Sequence, residues 1–529
     1  MRAAFRNGQH EYGCSVAHAA IESGARHPSL YYLRGLCRSR RKEFEAALAD
    51  FESAHALAPD DPLILEATGH CLILLERFRE AIRFLDDALA IKPDFARAYY
   101  HKGVALGLLN EIDDMRVAHR RVVGIEPGNV DALASLAYIA ARKNEIAETR
   151  AYGGRTLAIA PRHGLALVAL AMADIEEGLI EAALEKLSSV LGDSASGQDG
   201  RLNMALGFAA DALDRHGHFP EAFRLYSEIN ARRRHIHEPR FAAGRAIDET
   251  EKFTRALDLP AFPAPHNQSE ETISGALGHV FILGFVRSGT TLLETILASN
   301  PLVVASDERD FLADAANDLL HGEEDLQRLA NLGGDGLRRW RQVYWDGVRD
   351  AGLSVADKVF IDKVPLNSLR LPLIARLFPV ARILLVIRNP RDVVLSTFRH
   401  RFNMYPASFE FLSLEDCARF YAAVMQLVDT VRRRVPYLRV YEVRYEDLVG
   451  DFDNTIGRVC AFAGIEWTEA MQHFQNASAV IDRRSQSAAQ VRRGLYKGAA
   501  EHWRHYAREL TPVLPILAPW IARFGYPET

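Results

Sequence analysis

The chain has 529 residues, 48% of them hydrophobic and 25% charged, with a formal net charge of −5. That length exceeds one ordinary domain, and that balance supplies ample apolar material for globular cores. The near-neutral charge excludes a general attraction to nucleic acid or to an acidic membrane, while leaving room for a local basic site among the arginines of the C-terminal half.

At the N-terminus, Met1 to His10 carries no apolar core of signal-peptide type. No run of about 18 apolar residues stands anywhere in the chain to span a membrane. Cys14, Cys37, Cys71, Cys417 and Cys460 are odd in number and lack CxxC spacing. This predicts neither a disulfide framework nor a zinc site. A reducing, cytoplasmic location is therefore expected.

A helix is expected at about 10–26, and a repeat follows it. Pro59, Pro93, Pro127 and Pro161 recur every 34 residues, each two places after Leu57, Ile91, Ile125 or Ile159. Small residues keep the same phase at Gly35, Gly69, Gly103, Ala137 and Ala171. So do Phe44, Phe78, Ile112 and Ile146, with Ala47 and Ala81 as a further mark. A period of this length means one helix–turn–helix unit per repeat. The small column lets the two helices approach, and the proline stops the second. The pattern is clearest in Phe78-Arg-Glu-Ala-Ile and Ala88-Leu-Ala-Ile-Lys-Pro93. It resembles the tetratricopeptide repeat over roughly residues 28–190. A looser unit follows at Ala205-Leu-Gly207 and Pro220-Glu-Ala222. Stacked units of this kind form a superhelix with a concave face that holds a peptide or, alternatively, serves as a spacer or dimerisation arm. Pro239, Pro260, Pro263 and Pro265 then mark a junction where the periodicity is lost.

His279 to Gly284 reads as a buried parallel strand. Gly284-Phe-Val-Arg-Ser-Gly289 reads as a loop, and a helix opens at Thr290. Strand, glycine-bounded loop and helix N-terminus form an anion cradle. The GxxxxG spacing matches a nucleoside-triphosphatase loop, but Thr290-Thr291 stands where that motif needs Lys then Ser or Thr. Arg287 supplies the positive charge instead, with a guanidinium able to grip an oxyanion through two hydrogen bonds. This disfavours a kinase or triphosphatase.

Arg287-Ser-Gly-Thr-Thr-Leu292 resembles the 5′-phosphosulfate loop of sulfotransferases, which use 3′-phosphoadenosine 5′-phosphosulfate (PAPS) as donor and release 3′-phosphoadenosine 5′-phosphate (PAP). The resemblance extends over 279–525. It implies that Arg287, Ser288, Gly289, Thr290, Thr291 and Leu292 hold the phosphosulfate. It places Arg388 and Ser396, in Arg388-Asn-Pro-Arg-Asp-Val-Val-Leu-Ser396, on the 3′-phosphate. Glu308 has the spacing of the general base of the protein-tyrosine sulfotransferase branch, with Asp307 as its competitor. Lys363, in Ile361-Asp-Lys363-Val-Pro365, matches the lysine beside the bridging oxygen. Tyr445 matches a tyrosine near the nucleotide, and Ser487, Gln490 and Arg493 a loop over the donor. Arg287, Glu308 and Lys363 form the implied catalytic set, and no metal is implied. Val286 departs from the proline of many relatives. His400 and His502 stand where that branch has Arg and Lys, so Arg399, Arg401 or Arg493 would have to substitute.

The expected architecture is α plus α/β. An all-helical tetratricopeptide-repeat solenoid spans 1–235 and a linker spans 236–278. A P-loop-like sulfotransferase domain with a central parallel sheet spans 279–529. The expected partner is a protein or peptide acceptor, modified on a tyrosine and recognised through the repeats. Rival readings are a carbohydrate, lipid or small-molecule acceptor, and a non-catalytic repeat scaffold with a nucleotide-binding domain. Oligomeric state is left open.

Overall fold

The computed structural model describes residues 10–192, 200–257, 275–476 and 500–528. The chain divides into two compact units, Met1–His218 and Phe219–Thr529.

The first unit is built from packed helix pairs. Pro28–Arg40 packs on Phe44–Leu57, Pro62–Leu74 on Phe78–Ile91, and Ala96–Leu108 on Ile112–Ile125. Val130–Arg142 then packs on Ile146–Ile159, and Gly164–Glu176 on Ile180–Leu191. The repeated glycines sit where the helices of a pair touch. A Cβ at Gly35, Gly69 or Gly103 would lie 2.7 Å from Phe51, Leu85 or His119 respectively. Those three partners are themselves 34 residues apart.

The turn inside each pair follows the same rhythm with no matching residue type. Lys42, Glu76, Asn110 and Asn144 all adopt positive φ, between 58° and 63°, and Gly178 takes the equivalent place at 78°. One residue further on, an amide closes a six-residue ring back onto the helix, as in Glu111 N to Leu106 O at 2.8 Å and Leu179 N to Asp174 O at 2.8 Å. This left-handed helix stop satisfies carbonyls that the helix end leaves orphaned.

The structure corrects the cysteine reading. Cys14, on helix His10–Glu22, is bonded to Cys37 on helix Pro28–Arg40, with the Cα atoms 6.0 Å apart. The two cysteines have no local spacing signature, because packing of two helices brings them together rather than chain proximity. Cys71, Cys417 and Cys460 are free and buried. No described helix is long and apolar enough to cross a membrane.

The second unit begins earlier than the proline-rich junction suggests. Helix Phe219–Phe241 packs within it, although the sequence reading assigns residues up to 235 to the repeats. Asn230 Nδ2 donates to Phe398 O at 2.8 Å, and Phe219 stacks on His505 with ring centroids 4.3 Å apart. Arg245, just before helix Ala246–Ala256, donates from Nε to both carboxylate oxygens of the buried Glu410 at 3.0 Å.

The centre of this unit is a sheet of β1 Gly278–Gly284, β2 Val303–Ala305, β3 Val359–Lys363, β4 Arg382–Ile387 and β5 Arg439–Arg444. The order is β2-β3-β1-β4-β5 and every pairing is parallel. Alternate residues sort to opposite faces. Phe281, Leu283, Phe360, Ile383 and Leu385 join one core with helices Gly334–Asp350, Leu371–Leu377 and Leu414–Arg434. Val280, Ile282, Ile361, Leu384 and Val386 join another with helices Thr290–Ala298 and Phe452–Ala463. Burial on both faces explains the near-continuous apolar strands.

Candidate active site

In open parallel sheets of this kind, ligands bind at the carboxyl ends of the strands. β1 ends there at Gly284, where a Cβ would lie 2.7 Å from Val386 O on β4. Gly284 is further pinned by Ser368, which accepts from its amide at 3.1 Å and donates to its carbonyl at 2.9 Å. The loop then turns through Arg287 at φ 66° and Gly289 at φ 104° into helix Thr290–Ala298. Gly289 is required twice over, since a Cβ there would also lie 2.5 Å from the Tyr445 ring. Ser288, Thr290 and Leu292 are buried and Thr291 is half-buried.

The structure brings the widely separated arginines to this loop. Arg287 Nε donates to Ser396 Oγ at 3.2 Å, and Arg388 Nη1 donates to Arg287 O at 3.1 Å. The Arg388 guanidinium lies 4.7 Å from the centre of the Tyr445 ring. Burial, then the neighbouring Arg388 and Arg399, hold the Arg287 guanidinium down to about 10. Burial, then Arg287, Arg401 and Arg233, push the His400 imidazole down to about 2, so it is neutral. Like charges gathered in a desolvated pocket raise one another's energy, and an anion placed among them relieves that cost.

A second cluster forms at the end of β3. Lys363 is fully buried, with its ammonium 3.0 Å from Glu294 Oε2 and also paired with Glu308. Glu308 and Asp307 carry consecutive positive φ values of 62° and 57°. Hydrogen bonds hold this turn: Ser306 N to Ile361 O at 2.8 Å, Lys363 N to Ser306 Oγ at 2.8 Å, and Asp307 N to Glu294 Oε1 at 3.3 Å. Burial pushes the Glu294 carboxyl up to about 7 against the pull of Lys363.

Arg287, Arg388, Ser396 and Tyr445 thus meet on one side, and Glu308 and Lys363 meet on the other. Ser487, Gln490 and Arg493 lie outside the described residues. Where description resumes, Asp392 accepts from Glu501 N at 2.8 Å and Trp503 N at 2.9 Å, and Arg391 lies 3.7 Å over the Trp503 ring. Sequence reading missed Glu294, although it lies one helical turn from Thr290 in the loop helix, and it missed Tyr405. Burial, then the charge of Glu308, push the Tyr405 phenol up to about 12, so this ring belongs to the surroundings of Glu308. Arg233 is also a contributor, donating to Phe402 O and to Met404 Sδ at 3.2 Å.

A glycine-bounded, arginine-bearing loop at the end of β1, with a buried lysine at the end of the neighbouring β3, gives this α/β domain the features of an oxyanion site. Residues 279–469 match the sulfotransferase family, and residues 40–106 match the tetratricopeptide repeat. The protein therefore joins a helical tetratricopeptide-repeat array to a sulfotransferase-family domain. An uncharacterised protein of Aquifex aeolicus is 26% identical over 47% of this chain and 33% of its own length, so the match spans about a third of that relative. Protein-tyrosine sulfotransferase 2 of Gallus gallus is 22% identical over 49% of this chain and 72% of its own length. An omega-hydroxy-beta-dihydromenaquinone-9 sulfotransferase of Mycobacterium bovis is 29% identical over 20% of this chain and 29% of its own length.

Proposed function

We propose that this protein transfers a sulfuryl group from PAPS to an acceptor hydroxyl. The buried Lys363, facing Glu308 beside the Arg287 loop, is the observation that carries the reading. Arg287 and the loop amides from Ser288 to Leu292 hold the phosphosulfate, while Arg388 and Ser396 hold the 3′-phosphate and Tyr445 packs at the nucleotide. Glu308 accepts the proton of the acceptor hydroxyl as its oxygen bonds to sulfur. The bond from sulfur to the bridging oxygen breaks, and Lys363 offsets the charge that this oxygen keeps on the departing PAP. Positioning and charge stabilisation supply most of the acceleration.

Isothermal calorimetry tests the donor. PAP binds at least tenfold tighter than ATP; the reverse order overturns the reading.

A protein or peptide tyrosine is the acceptor we favour. The repeats offer a surface for a polypeptide, and the avian relative acts in name on protein tyrosine. The mycobacterial relative supports a second reading, a hydroxyl on a small apolar molecule. Radiolabelled transfer from PAPS into whole-cell lysate, with the labelled product separated as protein or as extractable small molecule, decides between them.

A further inference from the structure

Glu294 has no part in the transfer as set out above, yet it stands at the centre of the lysine cluster. It projects from helix Thr290–Ala298, which begins at the anion loop. Its Oε2 lies 3.0 Å from Lys363 Nζ at the end of β3, and its Oε1 accepts the Asp307 amide at 3.3 Å in the turn that carries Glu308. One carboxylate therefore ties together the donor loop, the lysine and the turn of the base.

The two acids that meet Lys363 are unlike. The Glu294 side chain is 8% exposed and the Glu308 side chain 48% exposed. A carboxylate as buried as Glu294 is costly unless a cation stays beside it, so its pairing with Lys363 is the durable one. Glu308 reaches solvent and can turn toward an acceptor. While Glu308 pairs with Lys363, the ammonium occupies carboxylate lone pairs that the acceptor hydroxyl needs. Turnover therefore requires an anion that keeps the ammonium in place when Glu308 leaves it.

We propose that Glu294 is a positioning residue that anchors the Lys363 ammonium beside the donor and thereby releases Glu308 to take the acceptor proton. The inference rests on the sulfuryl-transfer reading of the site. The proton passes from acceptor oxygen to Glu308, and sulfur exchanges its bond to the bridging oxygen for one to the acceptor oxygen. Lys363 stays protonated, balanced by the Glu294 carboxylate above about pH 7. Among the described residues, the charged groups around Glu294 are Lys363, Asp307, Glu308 and Asp362; the first pulls its carboxyl down and Asp307 and Glu308 push it up, beneath the larger effect of burial. Burial lowers the Lys363 ammonium's pKa, and Glu294 and then Glu308 more than restore it.

The test compares Glu294→Gln, Lys363→Ala and the double variant at saturating PAPS. With Glu294→Gln, kcat falls about 10- to 100-fold while PAP affinity by calorimetry is retained. The alkaline limb of the kcat profile moves to lower pH, because Lys363 has lost an anion. In the Lys363→Ala background the same change causes no further loss. An unchanged kcat, an unmoved alkaline limb, or additive losses in the double variant overturn the proposal. Should Glu294→Gln lose PAP binding through misfolding, Glu294→Asp carries the same test, with kcat above that of Lys363→Ala and a shifted alkaline limb expected; an unshifted limb overturns the proposal. A wild-type protein that moves no sulfate from PAPS overturns the underlying reading instead, so the two failures are distinct.

Discussion

Glu308 stands on backbone that side-chain-bearing residues avoid, and so does Asp307 before it. Each such residue costs about 1–3 kcal/mol, and it persists only where its surroundings over-determine it. Here Ser306, Lys363 and Glu294 hold the turn through hydrogen bonds. Replacing Glu308 with Gln keeps the shape and, on the proposed reading of the site, removes the base. We expect kcat to fall about 10²- to 10⁴-fold, with PAP affinity by calorimetry changed less than about twofold. A second residue-scale prediction concerns His279 on β1. Its ring meets Tyr344 Oη at 2.9 Å, and that hydroxyl donates to Asp362 Oδ2 at 2.6 Å. Burial holds the imidazole down to about 3. Between about pH 6.5 and pH 3 the unfolded chain takes up a proton there that the folded chain refuses, so stability falls as pH falls through this window. In urea titrations, His279→Phe should lose less stability than wild type between pH 7 and pH 5.

At the scale of elements, the loop from Gly284 to Leu292 depends on close approach. Gly289 faces the Tyr445 ring, which in turn lies under Arg388. Gly289→Ala must either displace that ring or open the loop, and it must hold alanine at φ 104°. We expect a loss of about 1–3 kcal/mol in stability, read as a lower melting temperature, together with at least tenfold weaker PAP binding. The repeat helices obey the same steric rule in a plainer setting. Gly69 lies against Leu85, and the backbone turn at Glu76 is left-handed. The small-residue column was visible in the sequence because only glycine or alanine fills it. The turn column was not, because Lys, Glu, Asn and Gly all fill it and the constraint falls on φ rather than on the side chain.

For the whole molecule, the boundary at His218 and Phe219 sets where the repeats can be removed. A chain starting at Phe219 keeps the Asn230 and Arg245 contacts with the second unit; one starting at 236 loses Asn230 and with it the bond to Phe398. We expect the Phe219 truncation to retain kcat/KM for a small phenol within about threefold and to lose at least tenfold for a polypeptide acceptor, because binding contacts made far from the reacting atoms are lost with the repeats. Equal losses on both acceptors, measured by radiolabelled sulfate transfer, would mark the repeats as a spacer.

The sequence by itself determined the helical repeat, the parallel-sheet domain and the loop from Gly284 to Leu292. All of these are local signals, carried by a period, a spacing or a run of apolar residues. Tertiary structure alone decided the Cys14–Cys37 bond and the packing of helix Phe219–Phe241 with the second unit. It alone decided that Glu294 and Glu308 share one lysine. Such partners meet only because the strand order β2-β3-β1-β4-β5 sets the turn after β2 beside the end of β3, and the helix after β1 beside both. A pattern along the chain states which face of an element is buried. Which distant charge arrives at that face depends on how the elements are ordered in space.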